Sequence, residues 1–253
     1  MKSFTYQRDL ILHLALRSFI LAYKGSTLGI LWSAMLPLCQ LLVLVFVFQK
    51  IFPMGIKNYP VFLFVGLMPW NWFSVSVNSA SGVFLGNRDL IRRPDFAPQS
   101  LILVDLLTNL VTFLISLPIL LVLLSFHGIG ITRSLLLFPL LVLIQGILIF
   151  GLGLIIATLN VFYRDVVHIV NVGTMLLFWL TPVFYQSEVV PTEYSFLYTL
   201  NPMAVLVENY RAIFFGTPLE WNSLMISFII SVIFCGLGYI IYFRKLSEVV
   251  DAL

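Results

Sequence analysis

The sequence predicts an all-α polytopic membrane protein with six transmembrane helices, an N-terminal amphipathic interfacial helix and short re-entrant helices before the last span. Hydrophobic residues occupy 60% of the 253 positions and charged residues only 10%, whereas soluble domains carry about 25% charged residues. The mean hydropathy of +1.05 also indicates lipid as the solvent. Six runs contain no Asp, Glu, Lys or Arg: 25–49, 58–87, 106–132, 134–163, 166–187 and 221–243.

Each of these runs exceeds the roughly 20 residues that a helix needs to cross the hydrocarbon core. A backbone in lipid must satisfy its own hydrogen bonds, and the runs are continuous rather than alternating, so we expect helices and not barrel strands. The whole chain, 1–253, then forms a single transmembrane domain. We place its spans at about 29–51, 60–82, 103–126, 134–158, 168–186 and 222–243, with five or seven spans as the alternatives.

Residues 1–24 form a separate element before the first span. Asp9, His13 and Arg17 are spaced i, i+4 and i+8, so they share one polar stripe of a helix beside a stripe of leucines. This pattern predicts an interfacial helix on the cytoplasmic membrane surface. It fits either a plain membrane anchor or a helix that also contacts a cytoplasmic partner.

The basic residues predict the orientation. An even number of spans puts both termini on one side, and the segments on that side hold ten Lys and Arg residues against four on the other. The positive-inside rule therefore places both termini in the cytoplasm. The net charge of +3 follows from this topology, and we expect no nucleic-acid partner.

The long segment 187–220 then faces outward. Pro191, Pro202 and Pro218 divide it into pieces too short to span, which predicts short helices that dip into the outer leaflet. Glu208 and Arg211 lie three residues apart and can pair on one helix face.

The sequence lacks the residues that several kinds of functional site require. The sequence has no Gly-x-x-x-x-Gly-Lys-Ser/Thr loop for ATP, and its three histidines are scattered, so we expect neither a cofactor nor a metal in this chain. The middles of the spans carry no ionisable side chain, which argues against a proton-coupled carrier. A membrane enzyme acting on lipid-linked phosphates would need clustered acidic or histidine side chains, and the acidic residues here are dispersed.

Neutral polar and aromatic residues lie deep in the runs instead. The polar ones are Gln40, Asn71, Asn78, Gln145 and Asn171; they suit either hydrogen bonds between helices or the lining of a hydrated passage. Aromatic residues cluster at 69–73 and 178–179, although Trp and Tyr normally gather at the membrane interfaces. Sugar rings stack on aromatic rings and amides bond hydroxyls, so this set suits a glycan; packing between helices is the alternative.

Four stretches of the chain stand out as motifs: 23–32 (YKGSTLGILW) continuing to Pro37, 66–70 (GLMPW) continuing to Phe73, 160–165 (NVFYRD) and 178–185 (FWLTPVFY). Together they resemble the membrane subunit of bacterial polysaccharide exporters, the type-two ABC permeases, and most of all those that export O-antigen. A weaker fifth match is 201–203 (NPM). A teichoic acid or capsule exporter, or a small-lipid or drug exporter of the same superfamily, remains the alternative.

The resemblance implies a homodimer in the bacterial inner membrane, with two copies of a cytoplasmic ATPase that binds ATP and Mg. Its cargo would be a polysaccharide linked to undecaprenyl diphosphate. Glu208 and Arg211 would belong to a periplasmic gate. The passage would include Trp32, Trp70, Asn71, Trp72, Phe73, Phe178, Trp179 and Tyr185. The ATPase contacts would be Asp9, His13, Arg17, Arg88, Asp89, Arg92, Arg93, Pro94, Asp95, Arg164 and Asp165.

Overall fold

The computed structural model describes residues 4–29, 31–93 and 96–253. All regular elements within these ranges are helical, as the sequence predicts. The α-helices are α1 (Phe4–Tyr23), α2 (Leu31–Val45), α3 (Tyr59–Gly86), α4 (Arg88–Ile91), α5 (Gln99–Phe126), α6 (Phe138–Phe162), α7 (Val166–Leu180), α8 (Ser195–Leu200), α9 (Pro202–Phe215) and α10 (Trp221–Ala252). A π-helical stretch extends α2 over Phe46–Ile51, and 3₁₀ turns cover Arg133–Leu137, Ser187–Val189 and Thr192–Tyr194.

Five helical segments are long and apolar enough to cross a membrane. They are Leu31–Ile51, Tyr59–Gly86, Gln99–Phe126, Arg133–Phe162 and Trp221–Ala252. They coincide with the first four predicted spans and the last one, and most differ from them by only a few residues at their ends. The exception is α10, which continues beyond the apolar run as a charged helix to Ala252.

The fifth predicted span, 168–186, is shorter in the structure. Helix α7 has 15 residues, about 22 Å of rise, against a hydrocarbon core of about 30 Å. It ends because Thr181 precedes Pro182 and adopts an extended backbone, with φ −96° and ψ 134°. Residues 181–184 are nevertheless buried. A sixth crossing here stays a prediction.

Helix α3 lies at the centre of the molecule. All residues from 61 to 70 are buried, and α3 contacts α2, α5, α6, α7 and α9. The buried Gln145 on α6 donates a hydrogen bond from Nε2 to the carbonyl of Pro69, at 2.7 Å. For this side chain, the hydrogen bond between helices is therefore the role that the structure shows.

Helices α6 and α10 form the most extensive helix pair. A Cβ atom on Gly151 would collide with the backbone of Cys235, and one on Gly238 would collide with the carbonyl of Gly151. Small residues at such a contact let the two backbones approach closely. An apolar cluster that includes Phe84, Leu154 and Tyr242 joins the same ends of α3, α6 and α10.

Candidate functional site

An open groove runs along the surface where α2, α3 and α7 meet, with a volume of about 300 Å³. All ten lining side chains are uncharged: Gln40, Trp70, Asn71, Ser74, Asn78, Asn171, Thr174, Met175, Phe178 and Trp179. They converge because side chains three or four residues apart lie on one face of a helix. Helix α3 contributes positions 71, 74 and 78, and α7 contributes 171, 174, 175 and 178.

Amide side chains hold the walls of this groove together. Asn71 on α3 donates from Nδ2 to Oε1 of Gln40 on α2, at 3.0 Å. Asn78, two turns further along α3, donates from Nδ2 to Oγ1 of Thr174 on α7, at 3.1 Å. A side-chain amide has two donors and an acceptor oxygen with two lone pairs, so these groups can also bond hydroxyls that enter the groove.

Aromatic rings form the wall at one end of the groove. The Trp70 and Phe178 ring centroids lie 5.5 Å apart, and the Phe178 and Trp179 centroids 5.8 Å apart. Trp70 is buried, whereas Trp179 is 56% exposed. A ring with one accessible face beside amides and hydroxyls can stack on the apolar C–H face of a sugar while neighbouring groups bond its hydroxyls.

Four of the eight residues that the sequence assigned to the passage line this groove: Trp70, Asn71, Phe178 and Trp179. Trp72 lies elsewhere, because two residues along a helix rotate a side chain by about 200°. Its ring stacks on Phe113 with centroids 5.2 Å apart, and its Nε1 donates to the carbonyl of Leu106 at 3.4 Å. Trp72 therefore packs between α3 and α5.

The other three lie outside the groove as well. Phe73 borders a separate apolar cleft between α3, α6, α7 and α10. Trp32 is half exposed on α2. The hydroxyl of Tyr185 donates to the carbonyl of Trp179 at 3.2 Å and bonds the hydroxyl of Tyr198. Ser74, Thr174 and Met175 line the groove but were not predicted, although the spacing of Asn71, Ser74 and Asn78 on α3 contains that signal.

The predicted pair on α9 is present. Nη1 of Arg211 lies 3.0 Å from Oε1 of Glu208. The guanidinium also donates to the carbonyls of Val183, at 2.7 Å, and Phe62, at 3.4 Å, and it lies 3.5 Å from the centroid of the Phe62 ring. Burial lowers the pKa of Arg211 to about 10, opposed by Glu208, so the group stays charged at neutral pH. Burial also raises the pKa of Glu208, opposed by Arg211.

Further contacts attach the segment after α7 to the rest of the fold. A Cβ atom on Gly66 would lie 2.9 Å from the carbonyl oxygen of Val183 and 3.0 Å from Nη2 of Arg211, so only glycine leaves α3 this close to the segment. Asn201 caps α9 by accepting from the backbone of Met203, at 3.1 Å, and it donates to Oγ1 of Thr181, at 3.1 Å. The region between α7 and α9 is thereby held to α3 and to the end of α7.

The residues assigned to the ATPase contact lie on exposed surface wherever the structure describes them. On α1, Asp9, His13 and Arg17 are exposed, while Ala15 and Phe19 on the opposite side are buried and Oγ1 of Thr108 donates to the carbonyl of Ala15 at 3.3 Å. The membrane-surface position of α1 stays a prediction. The exposed set also includes Arg88, Asp89, Arg92, Arg93, Arg164 and Asp165. Pro94 and Asp95 lie outside the described residues.

Arg92 has an internal partner as well. Its Nη2 donates to the backbone oxygen of Leu253 at 2.7 Å, which ties the turn after α4 to the end of α10. Within the described residues, no group of three His, Cys, Asp or Glu side chains is arranged to hold a metal ion.

Several known transport proteins are similar to this chain. Residues 9–215 match the ABC-2 type transporter family. The O-antigen export system permease protein RfbA of Myxococcus xanthus is 36% identical over 249 residues, which cover 97% of this chain and 96% of that protein. RfbA of Klebsiella pneumoniae is 32% identical over 243 residues, 96% of this chain and 93% of that protein. The polysialic acid transport protein KpsM of Escherichia coli is 26% identical over 243 residues, 93% of each chain.

Proposed function

The chain belongs to the ABC-2 type transporter family, and on that basis we propose that it is the transmembrane subunit of an ATP-driven exporter of bacterial surface polysaccharide. The observation that carries this proposal is the similarity to O-antigen permeases over nearly the whole of both chains, at 36% and 32% identity. In this reading the chain is a permease rather than an enzyme. ATP is hydrolysed on a separate cytoplasmic subunit.

The groove supplies the chemistry that such a cargo needs. A hydrophilic polymer cannot dissolve in hydrocarbon, so it must move along polar groups inside the protein. The lining offers amides and hydroxyls for hydrogen bonds and the rings of Phe178 and Trp179 for stacking. Because every lining side chain is uncharged, the groove suits a neutral or weakly charged glycan better than a polyanion.

A single groove becomes a passage when a second copy closes it. None of the residues of α7 is buried. Met175 in the groove lining is an exposed apolar side chain, as are Val172 and Leu176 beside the groove. We infer that two chains face each other across α2 and α7, so that their grooves enclose one path. In this dimer, α7 and the buried segment 181–184 that follows it together form the sixth crossing of each chain.

The orientation follows from the basic residues. We propose that the cytoplasmic side carries both termini, α4 and the turn at 163–165. Residues 187–220 then face the periplasm. The exposed residues of α1, α4 and the 163–165 turn bind two copies of the ATPase. The cargo is carried on undecaprenyl diphosphate, whose lipid tail stays in the bilayer while the glycan crosses, and the complex works in the inner membrane.

Deletion of the gene tests the proposal in the source organism. We expect surface polysaccharide to be lost and lipid-linked polymer to accumulate inside the cell, and a plasmid copy to restore export. Asn71→Leu combined with Asn78→Leu should restore little export at wild-type abundance. The matched control, Asn222→Leu at the exposed start of α10, should restore it fully. Normal surface polysaccharide in the deletion strain would contradict the proposed cargo and point to a small lipid or drug instead.

A further inference from the structure

The apolar cleft that Phe73 borders lies on the side of α7 that faces away from the groove. Its volume is about 640 Å³. On α7 it is lined by Leu177 and Leu180, which the helical repeat places on the opposite side of α7 from the residues that line the groove. The rest of the cleft lies between α7 and α10, over Leu148 and Leu152 of α6, and α6 contacts both of these helices.

Water has few hydrogen-bond partners in this cleft. Among the described residues that line it, only Tyr194, Tyr198 and Asn201 carry polar side chains. Asn201 already caps α9, and the hydroxyl of Tyr198 bonds that of Tyr185. A buried water needs about two to four polar partners, and apolar cavities stay dry. Because the walls belong to helices that are apolar enough to cross a membrane, a hydrocarbon chain is the occupant that suits the cleft.

The length of the cleft matches part of one lipid chain. The hydroxyl of Ser227 on α10 donates to the carbonyl of Pro202 at 3.3 Å, so Pro202 in the lining lies level with Ser227. Phe234, which also lines the cleft, is seven residues further along α10, about 10 Å of helix rise. One leaflet of hydrocarbon is about 15 Å deep. The cleft therefore accommodates roughly two-thirds of a chain, and Tyr194 in its lining is 53% exposed, as expected of a tyrosine at the headgroup level.

Acidic side chains lie where the headgroup of that lipid would be. Between positions 187 and 210 the sequence carries three glutamates and no Lys or Arg. Glu208 pairs with Arg211, whereas Glu188 and Glu193 are exposed, and Glu193 directly precedes Tyr194 of the lining. Carboxylates repel anionic headgroups and attract an ammonium group. The complementary lipid is therefore phosphatidylethanolamine, which carries an amino group, rather than phosphatidylglycerol or a polyprenyl diphosphate.

We propose that the apolar cleft binds one acyl chain of a phosphatidylethanolamine molecule, with the amino headgroup beside Glu193. The lipid supplies contacts that α7 does not obtain from the protein, since none of the residues of α7 is buried. It supports α7 from the side opposite the groove, of which α7 forms one wall. The leaflet in which the lipid lies rests on the proposed function; the binding itself does not.

Photo-crosslinking with lipids tests the site directly. The full-length chain is reconstituted in nanodiscs that contain a trace of phosphatidylethanolamine or phosphatidylglycerol, each with the same diazirine-bearing acyl chain, and the labelled residues are mapped by mass spectrometry. We expect phosphatidylethanolamine to label the cleft residues Leu177 and Phe234 several-fold more than phosphatidylglycerol does. The reference position is Val122 on α5, which is 54% exposed and outside the cleft; there the two probes should label equally and weakly.

Two sets of variants separate the chain site from the headgroup preference. Leu177→Trp fills the cleft and should remove most of the labelling of cleft residues. The matched control Ile233→Trp, at a position that is 53% exposed and outside the lining, should not. Because Glu188 and Glu193 are exposed, Glu188→Lys with Glu193→Lys should leave the fold intact and shift the preference towards phosphatidylglycerol.

Labelling of the cleft that does not exceed the labelling of Val122 with either lipid would overturn the site. Equal labelling of the wild-type cleft by the two lipids would overturn the proposed occupant. So would loss of the phosphatidylethanolamine signal to undecaprenyl phosphate at a concentration at which unlabelled phosphatidylethanolamine has no effect. None of these measurements involves ATP hydrolysis or export, so failure here and failure of the exporter proposal are distinguishable.

Discussion

At the scale of single residues, three tryptophans that lie deep in the predicted spans have different surroundings. Trp179 is 56% exposed at the groove, whereas Trp70 and Trp72 are 4% and 3% exposed. Trp70 lines one end of the groove and packs against Phe178, and Trp72 stacks on Phe113 on the other side of α3. The same residue type is therefore open to the groove at one position and packed among other side chains at the other two.

Substitution of the tryptophans should separate these roles. Trp179→Leu should lower polysaccharide export at wild-type abundance and leave thermal unfolding unchanged, because its ring is exposed at the groove. Trp72→Phe should lower the free energy of unfolding by about 1 kcal/mol, because it loses volume and the bond to Leu106. Export assays together with unfolding of the purified variants measure both effects. Normal export by Trp179→Leu would remove this residue from the passage.

We expect Arg211 to contribute more than any other side chain to the stability of segment 187–220. Arg211→Met removes the side-chain donor to the carbonyl of Val183, the additional donor to the helical carbonyl of Phe62, and the cation that pairs with Glu208. Breaking a buried pair in this way typically costs about 3 kcal/mol or more. Thermal unfolding in detergent should show a clearly lower midpoint for this variant. Glu208→Gln, which keeps a hydrogen-bond acceptor, is the control and should cost much less; equal midpoints for wild type and Arg211→Met would refute the role.

At the scale of elements, the sequence predicts helices well and their contacts poorly. The runs without charges locate five apolar helices to within a few residues at most of their ends, because burial in lipid requires uncharged, internally bonded segments. The same runs overestimate the length of α7. The helix ends at Leu180 because Pro182 requires an extended backbone at Thr181. The pair with Glu208 is local and was predicted, whereas the contact of Arg211 with Phe62 could not be, since the two residues lie 149 positions apart in the chain.

The groove was predictable only in part, because the sequence identifies its residues but not the contacts between the helices that carry them. Asn71, Asn78 and Asn171 stand out as deep polar residues, and Phe178 and Trp179 as deep aromatic ones. Which of them meet depends on how α3 and α7 rotate against each other, which local sequence does not encode. Ser74 and Thr174 were missed because hydroxyl residues are common in packed membrane helices.

The turn after α4 provides the element-scale test of coupling. Arg92→Glu with Arg93→Glu should reduce co-purification of the ATPase subunit and lower export while the membrane fold persists. Arg93→Glu alone should cause most of the effect, because Arg92 is also engaged with Leu253. The control is Lys57→Glu, an exposed residue just before α3. Normal ATPase binding and export in the double variant would mean that these arginines only hold topology by binding anionic headgroups.

At the scale of the whole molecule, the orientation is the first property to measure. A reporter fused after Leu253 should be active in the cytoplasm, and one inserted near Thr192 should be active in the periplasm, because the basic residues concentrate on the side of both termini. Thr192 follows the buried 181–184 segment, so the insertion also tests whether the chain crosses the membrane there. A periplasmic C-terminal reporter would contradict the six-crossing topology.

The central claim is that the groove between α2, α3 and α7 carries the polysaccharide. A photo-crosslinking amino acid at position 171, in place of Asn171, tests it directly in exporting cells. The control position is Leu143 on α6, which is 59% exposed and outside the groove. After irradiation, we expect the protein to carry covalently attached glycan when the probe is at 171 and to carry none when it is at 143. Continued export with no glycan attached at 171, or equal attachment at both positions, would contradict the claim.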